Sequence, residues 1–240
     1  GFCLVGSEMC IRDSDRIDAN MILLYGQTFR LTENAAFFQR KNAELKALIK
    51  RREQVTKIMS QEKNHLESTF NQEIRDNIRE NINALESQIS TLEKTILKLI
   101  DKDEALKSKY DYLKSINGVG KVLTMQCISS LPELGNISHK QLAALVGVVP
   151  YVRDSGQYKG QAKIYGGRAD IRKVLYMATL SAIRCNPPIK EYYQKLRSKG
   201  KPFRVAMVAC MRKLLIIMNC VCKEKRPVSY THLRAHETEA

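Results

Sequence analysis

From Thr32 to Tyr112 the chain runs without a proline or a glycine. The residues that most readily end a helix are missing from this stretch, so long helices are the natural outcome. Within it Ile82, Leu85, Ile89, Leu92, Ile96 and Leu99 recur at alternating steps of three and four, and Leu106 and Leu113 continue on the seven-residue step. Apolar residues at that period form one stripe along a helix, the seam of a coiled coil. Leu45, Leu48, Val55, Met59 and Leu66 follow the same register, interrupted by Arg52 and Glu62. Residues 67–77 lose the period, so a turn near 68–71 is expected to fold two helices into an antiparallel coiled-coil hairpin over 33–112. Such an arm either joins copies of the chain as a homo-oligomer or acts as an internal spacer, and the pattern leaves the two even.

The two ends are read apart from this fold. A codon choice exists for residues 3–13 whose reverse complement encodes residues 228–238 in order. The same DNA thus flanks the chain in opposite orientations and resembles a sequencing-library adapter. Residues 1–14 and 227–240 are therefore expected to be translated scar around a piece of a longer protein.

Charge divides what remains. Residues 15–112 hold 17 Lys or Arg against 16 Asp or Glu, whereas 113–226 hold 21 against 5, a net +16. A polyanion partner, nucleic acid above all, is implied for the second half. Prolines and glycines punctuate that half, and helices are expected at about 119–131, 138–146, 168–185, 188–198 and 202–222. A glycine-rich stretch at 150–167 leaves room for a short hairpin. The whole reads as mainly α: an arm followed by a compact, basic, mostly helical domain. Its apolar run at 214–221 is too short to span a bilayer and follows Arg212 and Lys213, so no membrane role is read. No signal peptide is recognised, and five cysteines in 15–226 without a C-x-x-C pair fit a reducing cytoplasm rather than a disulfide framework.

Three motifs could carry chemistry. Ser115-Ile116-Asn117-Gly118-Val119-Gly120-Lys121 has the form of the hairpin in a helix-hairpin-helix element, with Gly118 and Gly120 admitting a phosphate to the next helix N-terminus and Lys121 adding charge. A plain helix–helix turn reads the same way. Asp154-Ser155-Gly156 lies among Arg153, Lys159, Lys163, Arg168 and Arg172. A serine on a sharp turn among cations has what a phosphoryl-transfer nucleophile needs, yet an ordinary β-turn on a basic surface fits too. Asp15 and Asp18, three apart at a helix start, could share a Mg²⁺ ion, or be common N-terminal aspartates.

The blocks from Asn117 to about Lys225 resemble the C-terminal domain of the insertion-sequence "one-ten" transposases and the related Piv-type DNA invertases. The resemblance rests on Ile116-Asn117-Gly118-Val119-Gly120, Leu142-Ala143-Ala144-Leu145-Val146-Gly147 and Val148-Val149-Pro150, followed by Asp154-Ser155-Gly156. Gly166-Gly167-Arg168, Ile171-Arg172-Lys173-Val174-Leu175-Tyr176 and Asn186-Pro187-Pro188-Ile189-Lys190 continue it. Asp15-Arg16-Ile17-Asp18 resembles the last two carboxylates of the family's RuvC-like, ribonuclease-H-like site. The resemblance implies a prokaryotic, nucleoid-associated DNA transposase in which Ser155 attacks DNA, Asp15 and Asp18 form half of a Mg²⁺ site, and a structured bridge RNA selects the DNA. With the other two carboxylates expected upstream, the piece in hand should be inactive. A non-catalytic helix-hairpin-helix module and a structural coiled-coil protein are the rival readings, the second disfavoured by the +16 of 113–226.

Overall fold

The computed structural model describes residues 33–150 and 164–227. Its contacts divide the chain into two units, Gly1–Glu44 and Leu45–Ala240. Among the described residues there are eight helices and no strand: α1 (Glu33–Ser68), α2 (Gln72–Asp101), α3 (Glu104–Lys114), α4 (Lys121–Ser130), α5 (His139–Val146), α6 (Ala169–Cys185), α7 (Pro187–Ser198) and α8 (Phe203–Glu224). The mainly α expectation holds. Residues 1–14 and 228–240, within the ends read as scar, lie outside the described residues.

The arm breaks at Thr69–Asn71 because side chains supply what the chain ends lose. Asn71 Oδ1 accepts from the backbone N–H of Glu73 and Ile74, capping α2. Arg75 donates to the carbonyls of Leu66 and Thr69 at 2.8 and 2.7 Å, closing the end of α1. Ion pairs Arg52–Glu93 and Lys63–Glu86 join positions converging on this turn, as antiparallel neighbours must. Ile78, Ile82, Ile96 and Ile100 are buried on α2, and Leu45, Ile49 and Val55 on α1. Leu85, Ile89, Leu92 and Leu99 are only half-buried, since one helix pair covers one side of an apolar stripe.

No proline or glycine separates α2 from α3, yet the helix stops at Lys102. Asp103 Oδ1 accepts from Ala105 and Leu106 N–H, and this cap starts a new helix. The seven-residue step through Leu106 and Leu113 thus crosses a break.

In the basic half the helices fall within two residues of the expected spans. The central α8 packs against α3, α5, α6 and α7. Met207, Cys210, Met211, Leu214, Leu215 and Met218 are at most 1% exposed. By length and composition α8 could cross a membrane, but these contacts make it the core of a helical domain. Its one fully buried amide orders a loop: Asn219 Oδ1 accepts from Gly135 N–H at 2.8 Å and Nδ2 donates to Ile137 O at 3.0 Å. That loop leads into Ser138, which forms a reciprocal cap with Gln141 at the start of α5.

Candidate nucleic-acid interface

The turn from α3 to α4 is held from beneath. Ile116 and Val119 are buried plugs, and the Asn186 amide, itself buried, donates to Asn117 O at 2.8 Å while its oxygen caps α7. The two glycines have different reasons. Gly118 sits at φ +92°, and a Cβ there would lie 2.6 Å from the Ala182 Cα and Cβ atoms of α6. It exists for a left-handed turn and a close helix approach. Gly120 caps α4 at φ −85°, ψ 170°, and nothing lies within 4 Å of where its Cβ would be. No side chain caps the α4 N–H groups behind it.

That open side is part of a cavity of about 470 Å³, lined by Gly118, Gly120, Lys121 and Val122 and, on α6, by Lys173, Val174, Met177, Ala178 and Ser181. An uncapped helix N-terminus and two ammonium groups beside an apolar wall suit a phosphodiester carrying its sugar. Lys173 was not singled out in the sequence. Its signal is positional: it shares a helix face with Met177, four residues on.

Lys121 already has a partner. Its Nζ lies 2.5 Å from Glu93 Oε2, while Arg52 Nη2 lies 2.7 Å from Oε1 of the same carboxylate. Glu93 thus ties α1 and α2 to the glycine turn. Burial alone would raise its carboxyl, but hydrogen bonds from Lys121 and Arg52 outweigh this and hold it below its ordinary range. Pattern reading passes over Glu93, because it stands one place off the seam, where a charge is ordinarily solvated.

The second candidate loop has a well-built base. Gly147, at φ +76°, ends α5, and Gly166 and Gly167 follow with φ of +70° and +65°. A Cβ on Gly167 would meet Gly147 N at 2.6 Å, so the two strands of chain touch backbone to backbone. Arg172 clamps the contact by donating to Val146 O and Gly166 O at 3.1 and 2.5 Å. Arg168 donates its backbone N–H to Leu145 O at 3.0 Å and its guanidinium to both Glu133 oxygens and Ser130 O. The Arg168 hydrogen bond holds the Glu133 carboxyl below its usual range, and Glu133 in turn raises the guanidinium.

Arg168 and Arg172, picked from the sequence as phosphate contacts, therefore have intramolecular partners in the structure. Their visible work is to hold Gly166 and Gly167 against Gly147 at the end of α5. Ser155, Arg153, Lys159 and Lys163 lie outside the described residues, and so do Asp15 and Asp18. Among the described residues no three His, Cys, Asp or Glu side chains gather as a metal site.

The sequence is similar to those of known proteins. Residues 110–194, from the end of α3 into α7, match the transposase family described as IS116/IS110/IS902. The chain is 26% identical over 221 residues to the pilin gene-inverting protein of Moraxella bovis, covering 89% of this chain and 67% of that protein. An insertion element IS116 protein of Streptomyces clavuligerus is 24% identical over 147 residues, 60% of this chain and 35% of its own length. An insertion element IS900 protein of Mycobacterium paratuberculosis is 34% identical over 83 residues, 34% of this chain and 21% of its own. By sequence this chain is similar to the IS116/IS110/IS902 transposases over residues 110–194, and over most of its length to the pilin gene-inverting proteins.

Proposed function

We propose that this chain carries the serine half of a DNA strand-cleavage centre, and that Ser155 is its nucleophile. The supporting observation is the fixed base of its segment. Arg168 and Arg172 fix Gly166 and Gly167 against the end of α5, and Lys173, next along α6, lines the cavity at the glycine turn. A nucleophile-bearing loop and a phosphate-binding turn would then be carried by one rigid helix, as strand cleavage needs.

In the reaction the Ser155 Oγ–P bond forms as the P–O bond to a deoxyribose breaks. The serine gives up its proton and the departing oxygen takes one. Arg153, Lys159 and Lys163, on the same segment, neutralise the phosphoryl oxygens. Asp15 and Asp18 would hold Mg²⁺, which supplies Lewis acidity to activate an otherwise weak hydroxyl nucleophile. The arm, with its half-buried seam, would assemble copies of the chain, and the basic domain would take DNA together with a structured guide RNA in a prokaryotic cytoplasm.

The test uses this chain fused to a ribonuclease-H-like domain that supplies the further carboxylates the proposed Mg²⁺ site needs. Labelled DNA is run on denaturing gels to find a protein-linked band. Ser155→Ala should abolish the band and leave DNA binding nearly intact, because the change removes a single hydroxyl and no charge. Asp18→Ala or a chelator should abolish it too. An adduct that persists in Ser155→Ala contradicts the assignment.

A further inference from the structure

Among the described residues, the cations that the motifs single out are occupied: Lys121 with Glu93, Arg168 with Glu133, Arg172 with backbone carbonyls. A different set stands open where α7 turns into α8. Every residue from Arg197 to Val205 is exposed, so this turn projects as a knuckle. It carries Arg197, Lys199, Lys201 and Arg204, with Lys195 one turn earlier. The sole carboxylate between Asp170 and Glu224 is Glu191. Among the described residues none of these five cations has a carboxylate partner.

The knuckle is built, not loose. Arg197 donates to Lys201 O at 2.7 Å, Gly200 N–H to Arg197 O at 3.0 Å and Lys201 N–H to Leu196 O at 3.1 Å. Gly200, at φ +75°, makes the left-handed step that this turn requires. No side chain caps α8, so its first N–H groups point out among the cations. Five positive charges on one projection, none with a carboxylate partner among the described residues and only Arg197 bonded to a backbone carbonyl, have the charge complement of a phosphate backbone.

We propose that the α7–α8 knuckle is a docking surface for the backbone of double-stranded DNA, separate from the cavity at the glycine turn. It sits past residue 194, beyond the residues that match the family. The proposal rests on the reading of the basic domain as a DNA-binding unit, and extends it to a second contact that positions the duplex.

The full 240-residue chain is titrated with a fluorescent DNA duplex across a salt series, beside the triple variant Lys199→Gln, Lys201→Gln, Arg204→Gln. Each phosphate contact contributes about 0.9 to the slope of log affinity against log salt, so the variant slope should fall by roughly 3. Affinity at about 0.1 M salt should weaken on the order of 10- to 100-fold. In the unaltered chain, DNA should protect Lys199 and Lys201 from acetylation while Lys57 on the arm stays reactive, a readout that needs no variant. A steep slope shared by both proteins, with Lys199 and Lys201 still acetylated, overturns the knuckle and leaves the DNA-binding reading standing. A flat slope in the unaltered chain overturns both. Loss of binding confined to an RNA duplex of the same sequence overturns the choice of DNA.

Discussion

Gly118 and Gly120 stand two apart in one turn, and only one of them is sterically required by the fold. Alanine at Gly118 would be strained by the positive φ and driven into Ala182. Gly118→Ala should cost about 2 kcal/mol or more in urea unfolding. Gly120→Ala meets open space at an ordinary φ and should leave stability within about 0.5 kcal/mol. If the uncapped α4 N-terminus takes a phosphate, the added methyl should weaken DNA binding several-fold by titration. Equal affinity would make Gly120 a turn residue only. Glu93 supplies a second residue-scale prediction. Glu93→Gln leaves Arg52 without its buried partner and should cost about 3 kcal/mol at pH 7. Because the folded carboxyl sits below its ordinary range, its contribution is full above the unfolded value of about 4.5 and drains as pH falls through the folded one. The stability gap between the two proteins should therefore shrink in urea melts below pH 4; a constant gap contradicts a charged Glu93 at the hub.

At the scale of elements, the basic half was legible because its helix signals are local. Ser138 with Gln141 starts α5, Gly147 ends it, and Asn186-Pro187 divides α6 from α7, all decided by residues within a turn of the boundary. The break at Lys102–Asp103 was not legible, since an aspartate in a polar helix face signals nothing until its side chain is seen capping α3. The site was legible in part. Gly118, Gly120 and Lys121 do come together, but the partners of Arg168, Arg172 and Lys121 are acids and carbonyls distant in sequence, which spacing cannot reveal. The arm gives a prediction of its own. Ile89→Lys with Leu92→Lys places two charges in the half-buried stripe of α2. If copies of the chain assemble through it, light scattering should show the mass fall by half or more while circular dichroism keeps its helical signal. An unchanged mass in a folded arm would make the stripe an internal packing face.

Across the whole molecule, a near-neutral helical arm leads into a domain with a net charge of +16, and Glu93 ties one to the other. The proposed DNA contacts are an uncapped helix start and an exposed cationic knuckle, and Ser155 lies in the sequence between Gly147 and Gly166, whose backbones meet. The central claim is that this serine becomes bonded to DNA. The most direct measurement is mass spectrometry of the protein–DNA adduct after nuclease and protease digestion, made with the chain fused to a ribonuclease-H-like domain that completes the proposed Mg²⁺ site. The account predicts a nucleotide mass on the peptide that contains Ser155, with fragment ions that place it on the serine oxygen. A nucleotide on any other residue, or cleaved DNA with no adduct on the protein, would contradict it.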